Sequence, residues 1–212
     1  MNTPDLVTFL KQQNVNASFT DKLKITYRPY ICPFDELLAL VKPVDIVADI
    51  GCGSGQLALL MAEFAKPSKI VGVEISQTLI DNARTLLSRY TSIPHQFEVY
   101  DGGTFPTILQ NATKYFMVDV LHHIPRHLQV SFLKNVYSLM PTGSQLIIKD
   151  INGSSPFVLF NKLHDLIFAR EIGNELALFK TVAILQETGF TIERTNTKLL
   201  YVYPHYTVVA TK

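Results

Sequence analysis

Short β-branched apolar runs alternate along this chain with stretches whose apolar residues recur at helical spacing. Runs at 44–50, 69–74, 96–100, from Tyr115 onward and at 145–151 predict five strands. Between them, 56–65, 76–90 and 126–139 predict helices. In the second of these, Leu79, Ile80, Ala83, Leu86 and Leu87 share one face behind a capping Ser76. The third is stopped near Pro141-Thr142-Gly143. Upstream, 3–13 predicts a short helix with Leu6, Phe9 and Leu10 on one side. A polar-aromatic connector follows at 23–33, then a helix at 34–41. Downstream, 176–188 predicts a helix closed by Gly189, and 190–196 and 206–211 a pair of strands with no helix between them. Strands alternating with helices imply an α/β protein with a parallel sheet and right-handed crossovers. The final pair implies one antiparallel strand.

The turn behind the first strand carries the strongest chemical signal. Val47-Ala48-Asp49-Ile50 runs into Gly51-Cys52-Gly53-Ser54-Gly55, and a helix starts directly afterwards. Glycines at every second position let the backbone turn sharply and leave it open to a ligand. Open α/β sheets bind nucleotides at such turns. A dinucleotide fingerprint, G-x-G-x-x-G, is broken here because Gln56 stands at the third glycine position. The actual pattern, an acid two residues before G-x-G-x-G, resembles motif I of the class I S-adenosylmethionine-dependent methyltransferases. A tight turn without a ligand is the competing reading. Asp49 suits a cationic ligand group.

Glu74 closes the second strand. A carboxylate there can accept both ribose hydroxyls, as in nicotinamide enzymes too, or it can serve as a helix N-terminal charge ahead of Ser76. Asp101-Gly102 follows the third strand, where this methyltransferase family places an acid against the adenine amino group; the same pair is an ordinary turn. Asp119-Val120-Leu121-His122-His123-Ile124-Pro125 then closely resembles the segment after the fourth strand of small-molecule methyltransferases. The four elements, about 44 to 125, come in the family's order. The resemblance implies a Rossmann-like three-layer sandwich. Its seven-stranded, mostly parallel sheet has the order 3-2-1-4-5-7-6, with strand seven antiparallel. It also implies S-adenosyl-L-methionine as cofactor and S-adenosyl-L-homocysteine as product. The cofactor residues it marks are Asp49, Gly51, Cys52, Gly53, Gly55, Glu74, Ile75, Asp101, Gly102, Asp119 and Val120.

Composition narrows the partners. The chain has 212 residues, net charge +1 and no Lys/Arg run, so charge gives no case for nucleic-acid binding. The Asn-Pro-Pro-Tyr/Phe segment typical of nucleic-acid amino methylation is missing after strand four. No apolar run reaches the length of a membrane span, and the first residues lack the pattern of a signal peptide. Cys52 lies inside the glycine turn, so pairing with Cys32 is not expected and a reducing cytoplasm fits best. One domain over 1–212 is expected, with an N-terminal helical segment, 1–42, and an insertion, 152–175. The insertion's apolar helical stretch carries Phe157, Phe160, Leu163, Leu166 and Ile167 on one face. In this family such a region covers the substrate, which suits an apolar acceptor; a core contact or a homodimer contact is the alternative.

Methyl transfer from a sulfonium needs alignment more than acid–base help, except with a hydroxyl, carbon-acid or protonated amine acceptor. His122 and His123 are the candidate bases, with hydrogen-bonded loop orientation as the alternative for at least one; His164 with Asp165 comes next. No metal is expected: His123 and His127 share helical spacing, but neither Cys nor carboxylate completes a set. Tyr27-Arg28-Pro29-Tyr30, with the segments around His164 and Arg170, resembles a group of bacterial methyltransferase-like proteins. Arg28, with Tyr27, is the candidate partner of the methionine carboxylate, against a surface aromatic–arginine stack. The resulting expectation is methyl transfer to a small-molecule or lipid-like acceptor. A non-catalytic cofactor-binding partner or regulator is the second reading, and an NAD-dependent oxidoreductase the third.

Overall fold

Val47, Ala48 and Ile50 are completely or almost completely buried in β1 (Ile46–Ile50), which explains why Asp49 alone breaks its apolar run. A strand covered on both faces has no polar side to alternate with. The computed structural model describes residues 2–13, 25–159 and 173–212, which fall into two compact units, Met1–Lys114 and Tyr115–Lys212.

The first unit opens with α1 (Thr3–Lys11), capped by Asn2 and Asp5 in a reciprocal capping box. A single 3₁₀ turn (Arg28–Tyr30) and α2 (Phe34–Leu38) lead to β1. Next come α3 (Gln56–Leu60), which widens into a π turn at Met61–Ala65, and β2 (Lys69–Glu74). α4 (Gln77–Leu87) and β3 (His95–Val99) complete it. β1 pairs with β2 and β2 with β3, all parallel. Ile80, Ala83, Leu86 and Leu87 of α4 are buried, as the apolar stripe requires.

The second unit contains most of β4 (Lys114–Val118), then α5 (Gln129–Leu139), β5 (Gln145–Ile151), α6 (Leu178–Thr188), β6 (Thr191–Leu200) and β7 (Tyr203–Thr211). β7 is antiparallel to β5 and β6. The seven strands stand in the order β3-β2-β1-β4-β5-β7-β6, which is the expected architecture.

Several predicted ends move. The helix expected from 126 starts at Gln129, because Pro125 and the next three residues form a turn closed by Leu128 N–H on the Pro125 carbonyl. The last hairpin is longer than expected: β6 runs to Leu200 and β7 starts at Tyr203, turning at Tyr201 with φ +54°. β6 is mostly exposed, so its polar residues broke the apolar pattern without ending the strand. Of the expected 157–170 covering helix, residues 160–170 lie outside the described residues, and with them Phe160, Leu163, His164, Asp165, Leu166, Ile167 and Arg170.

Two glycines of the turn differ in what they tolerate. A Cβ on Gly55 (φ +78°) would lie 2.8 Å from the Ala83 Cβ and 2.9 Å from its Cα, so α4 packs directly on this glycine. A Cβ on Gly53 (φ +53°) would meet nothing within 4 Å. Gly55→Ala therefore combines left-handed strain with overpacking, an expected loss of about 2–4 kcal/mol in urea denaturation. Gly53→Ala has only the strain, about 1–2 kcal/mol. Equal losses for the two would show that α4 does not bear on Gly55.

Candidate active site

In the first unit the site begins where β1 ends. Gly51, Gly53 and Gly55 all adopt left-handed backbone, with φ of +75°, +53° and +78°. The N–H groups of Gly51 and Cys52 both bond to the Val73 carbonyl, pinning the turn onto β2. Gly55, not a glycine one position later, provides the close helix approach that the broken fingerprint lacks. Cys52 is buried, and its sulfur is 3.0 Å from where a Cβ on Gly72 would stand. Burial and the neighbouring Asp49 and Glu74 carboxylates push the Cys52 thiol well up, so it stays a protonated packing group.

Asp49 is 2% exposed, and its Oδ2 has no hydrogen-bond partner in the protein. Burial pushes its pKa up from 3.8 to about 7; Arg28 acts in the opposite direction and Glu74 adds to the rise. A buried carboxylate oxygen without a partner costs free energy unless a ligand satisfies it. An acid at this turn, short of a donor and next to open backbone, fits a cationic nucleotide-like group. This is the fit expected for the amino-acid end of S-adenosylmethionine.

Glu74 fastens the turn and the start of the next helix at once. Its Oε2 accepts the Gly53 N–H at 3.1 Å, and its Oε1 accepts those of Ile75 at 2.8 Å and Ser76 at 3.3 Å. A carboxylate has about four acceptor positions, so ribose hydroxyls would share or replace these donors. Ile75 is 70% exposed, an apolar side chain left open beside that carboxylate. Asp101 is exposed and its Oδ1 accepts the Gly103 N–H at 2.8 Å, with Gly102 at φ +86°: the turn reading describes its present contacts. Tyr27 stacks on Tyr30 at 6.3 Å under the Lys11 ammonium, and the Arg28 guanidinium lies 5.5 Å from the Phe34 ring centre. The aromatic–arginine stack is thus present, while Arg28 also acts on Asp49 electrostatically.

The second unit holds a separate hydrogen-bonded set. Asp119, at the end of β4, adopts φ +58°, a conformation uncommon outside glycine. Its Oδ1 accepts the buried Lys149 ammonium at 2.5 Å, and its N–H donates to the Lys149 carbonyl. Val120 follows, half-buried, before a 3₁₀ turn at Leu121–His123. His122 is 3% exposed; its Nδ1 lies 2.5 Å from Asp150 Oδ1, and its backbone N–H donates to Asp150 Oδ2. Asp150 Oδ1 also accepts the Ile151 N–H. His123 is exposed, with its ring centre 4.1 Å from that of His122.

Asp119, His122 and Asp150 offer atoms that all lie within 4.8 Å of one another, the spacing of a metal cradle. Within this group His122 bonds to Asp150, and Asp119 bonds to the Lys149 cation. The helical spacing of His123 and His127 gives no pointer to this cluster. Sequence reasoning missed Asp150 and Lys149, although two charges inside an apolar strand are a signal that each needs a buried partner. It also missed Gln129, buried at the start of α5, whose Nε2 reaches the carbonyls of Leu121, Ile124 and Asn174 and so fixes the histidine turn. Both cysteines are free. Among the described residues no helix is long and apolar enough to cross a membrane.

Residues 47–143 match the family model of a methyltransferase domain. The carboxy-S-adenosyl-L-methionine synthase of Alteromonas mediterranea is 25% identical over 112 residues, 52% of this chain and 46% of that one. The demethylmenaquinone methyltransferase of Symbiobacterium thermophilum is 27% identical over 133 residues, 56% of this chain and 47% of that one. The chain spans about half the length of these curated relatives. Among solved structures, magnesium protoporphyrin IX methyltransferase from Synechocystis PCC 6803, with bound S-adenosylhomocysteine, has a TM-score of 0.72. The two are 19% identical, and the match covers 98% of this chain and 93% of that one. That likeness is one of fold. Residues 47–143 thus resemble a methyltransferase domain in sequence, and the strand order is that of the Rossmann-like methyltransferase fold.

Proposed function

We propose that the protein binds S-adenosyl-L-methionine and transfers its methyl group to a small-molecule or lipid-like acceptor. The observation that carries this reading is Asp49: a buried carboxylate oxygen without a protein partner, at the head of a left-handed glycine turn. In this reading Asp49 meets the ammonium of the cofactor's amino-acid end, and Arg28 with Tyr27 its carboxylate. The backbone of Gly51, Cys52, Gly53 and Gly55 lies along it. Glu74 takes the ribose, and Ile75, Asp101 and Gly102 flank the adenine. Asp119 and Val120 complete the set with their backbone, since Asp119 already holds Lys149. The cofactor supplies an electrophilic methyl on sulfur, which is displaced in line.

His122 is the base when the acceptor has a proton to lose. Asp150 accepts Nδ1–H and so leaves Nε2 as the basic atom. The Lys149 ammonium balances Asp119, which leaves Asp150 to balance an imidazolium formed at His122. His123, exposed, orients the turn. The neutral overall charge supports an acceptor other than nucleic acid, and the demethylmenaquinone and magnesium protoporphyrin IX of the relatives' names support a sizeable apolar small molecule. We assign the whole of 1–212 to one catalytic domain and place it in the cytoplasm of a bacterium.

Calorimetric titration with S-adenosylmethionine, S-adenosylhomocysteine and NAD tests the cofactor. Micromolar binding of both sulfur nucleotides is expected, weakened about tenfold or more by Glu74→Ala, which removes a charged acceptor. NAD binding in their place would establish the oxidoreductase reading instead. A protein that binds both sulfur nucleotides but methylates nothing in a broad acceptor panel would be a cofactor-dependent regulator.

A further inference from the structure

We infer that Gln56 is a positioning residue: its side chain holds the 25–30 segment, and with it Arg28, against the cofactor turn. This rests on the cofactor reading of the glycine turn. Gln56 opens α3, directly after Gly55, and is 5% exposed. Its Nε2 donates at 2.5 Å to the carbonyl of Ile25, 31 residues earlier in the chain. Buried amides are kept where they have a specific partner, and this one reaches out of the turn to a connector of another segment. The connector is held at its other end as well. Pro29 is buried, and the Arg28 guanidinium lies over the Phe34 ring at the start of α2. Between Ile25 and the buried Pro29 stand Tyr27 and Arg28, the residues assigned to the carboxylate end of the cofactor.

The residue that breaks the dinucleotide fingerprint therefore has a function of its own. A glycine at this place would leave the connector without its hydrogen bond. Glutamine docks the connector beside the buried acid, where two charged groups bear on Asp49: Arg28 from the connector and Glu74 from β2. Of these only Arg28 favours the ionised form. Gln56 thus acts on the cofactor through Arg28 and, through it, on the charge state of Asp49.

Binding of S-adenosylhomocysteine measured by calorimetry from pH 5.5 to 8.5 tests this. Gln56→Met keeps the length and packing of the side chain and removes the donor. It is expected to weaken binding about tenfold, the scale of one hydrogen bond. The pH midpoint of affinity should also move upward, in the direction produced by Arg28→Ala. Adding Gln56→Met to Arg28→Ala should then change little. Gln56→Asn, polar but one methylene too short, is expected to behave like Gln56→Met and guards against a variant that fails for lack of polarity. Multiplying losses in the double variant, or a lower melting temperature with an unmoved pH midpoint, would make Gln56 merely structural and overturn the inference. If wild-type protein binds no S-adenosylhomocysteine, or Asp49→Asn binds it as tightly as wild type, the cofactor reading itself falls, and the inference with it.

Discussion

Asp49→Asn is expected to abolish measurable cofactor binding and, at the same time, to stabilise the ligand-free protein at pH 8. Asp49 is buried at the end of β1, and its pKa rises from 3.8 to about 7. In the unfolded chain the group ionises at its ordinary value. Between pH 4 and 7 the folded state therefore keeps a proton that the unfolded state has lost. Stability falls as pH rises through that window and levels off above it. At about 1.4 kcal/mol for each tenfold change in proton affinity, a rise of this size sets an upper bound of about 4 kcal/mol. Urea denaturation at pH 4.5, 6 and 8 should show wild type losing stability relative to Asp49→Asn across the series. Parallel curves would mean that Asp49 ionises as freely in the fold as in water.

The same charge makes cofactor affinity pH-dependent with the opposite sign. A cationic ligand needs the ionised acid, so affinity rises as pH climbs through about 7. Binding near pH 6.5 should release a proton, visible as a calorimetric enthalpy that changes with the buffer. Asparagine removes both the pH dependence and the charge; a loss of more than about 100-fold follows from deleting a buried charge partner of a cation. A neutral variant that binds as well as wild type would show that the ligand's cationic group lies elsewhere. Stability given up at a binding carboxylate is what makes the site receptive.

What the sequence showed of this site, and what it hid, follows from the kind of constraint involved. Glycines at 51, 53 and 55 announced the turn because few other residues accept three left-handed conformations so close together. The strands were legible because burial on both faces leaves β1 and β4 apolar except at Asp49 and Lys114. Chain order within the sheet was not: alternation of strands and helices fixes parallel pairing and handedness, and the resemblance to known methyltransferases supplied the order. The choice between His122 and His123 was also hidden. Adjacent residues of a single 3₁₀ turn face different ways, and only the packing makes one buried and the other exposed. Glu74 could not be assigned to one role because its two oxygens act separately, one holding the turn and the other the start of the next helix. Gln56 and Gln129 were invisible for a further reason: a polar residue in the first turn of a helix reads as solvated, yet both are buried and reach carbonyls distant in the chain.

His122→Ala is expected to lower kcat on a protonated acceptor by about 10²–10⁴-fold, the range of a general base, while leaving cofactor affinity unchanged. His123→Ala, at an exposed position, should stay near wild type. The decisive companion is Asp150→Asn. The aspartate accepts from His122 Nδ1, from the His122 backbone N–H and from the Ile151 N–H. Asparagine can keep accepting the His122 backbone N–H through its carbonyl oxygen, but its amide group then faces the imidazole, and the Ile151 N–H beside it, as a donor. Nδ1 must become the acceptor, the proton moves to Nε2, and the basic atom is lost, at the cost of one backbone hydrogen bond, that of Ile151. Activity should fall nearly as far as in His122→Ala, and the double variant should be no worse than either single one, because one unit has been broken twice. Asp150→Ala adds a different effect: two buried N–H groups are left without acceptors, with an expected stability loss of about 2–4 kcal/mol. Independently of any acceptor, the buried Nδ1 proton that His122 donates to Asp150 should give a downfield proton resonance that both His122→Ala and Asp150→Asn remove. Full activity in Asp150→Asn with that resonance gone would reduce the pair to a structural clasp and leave methyl transfer here to alignment alone.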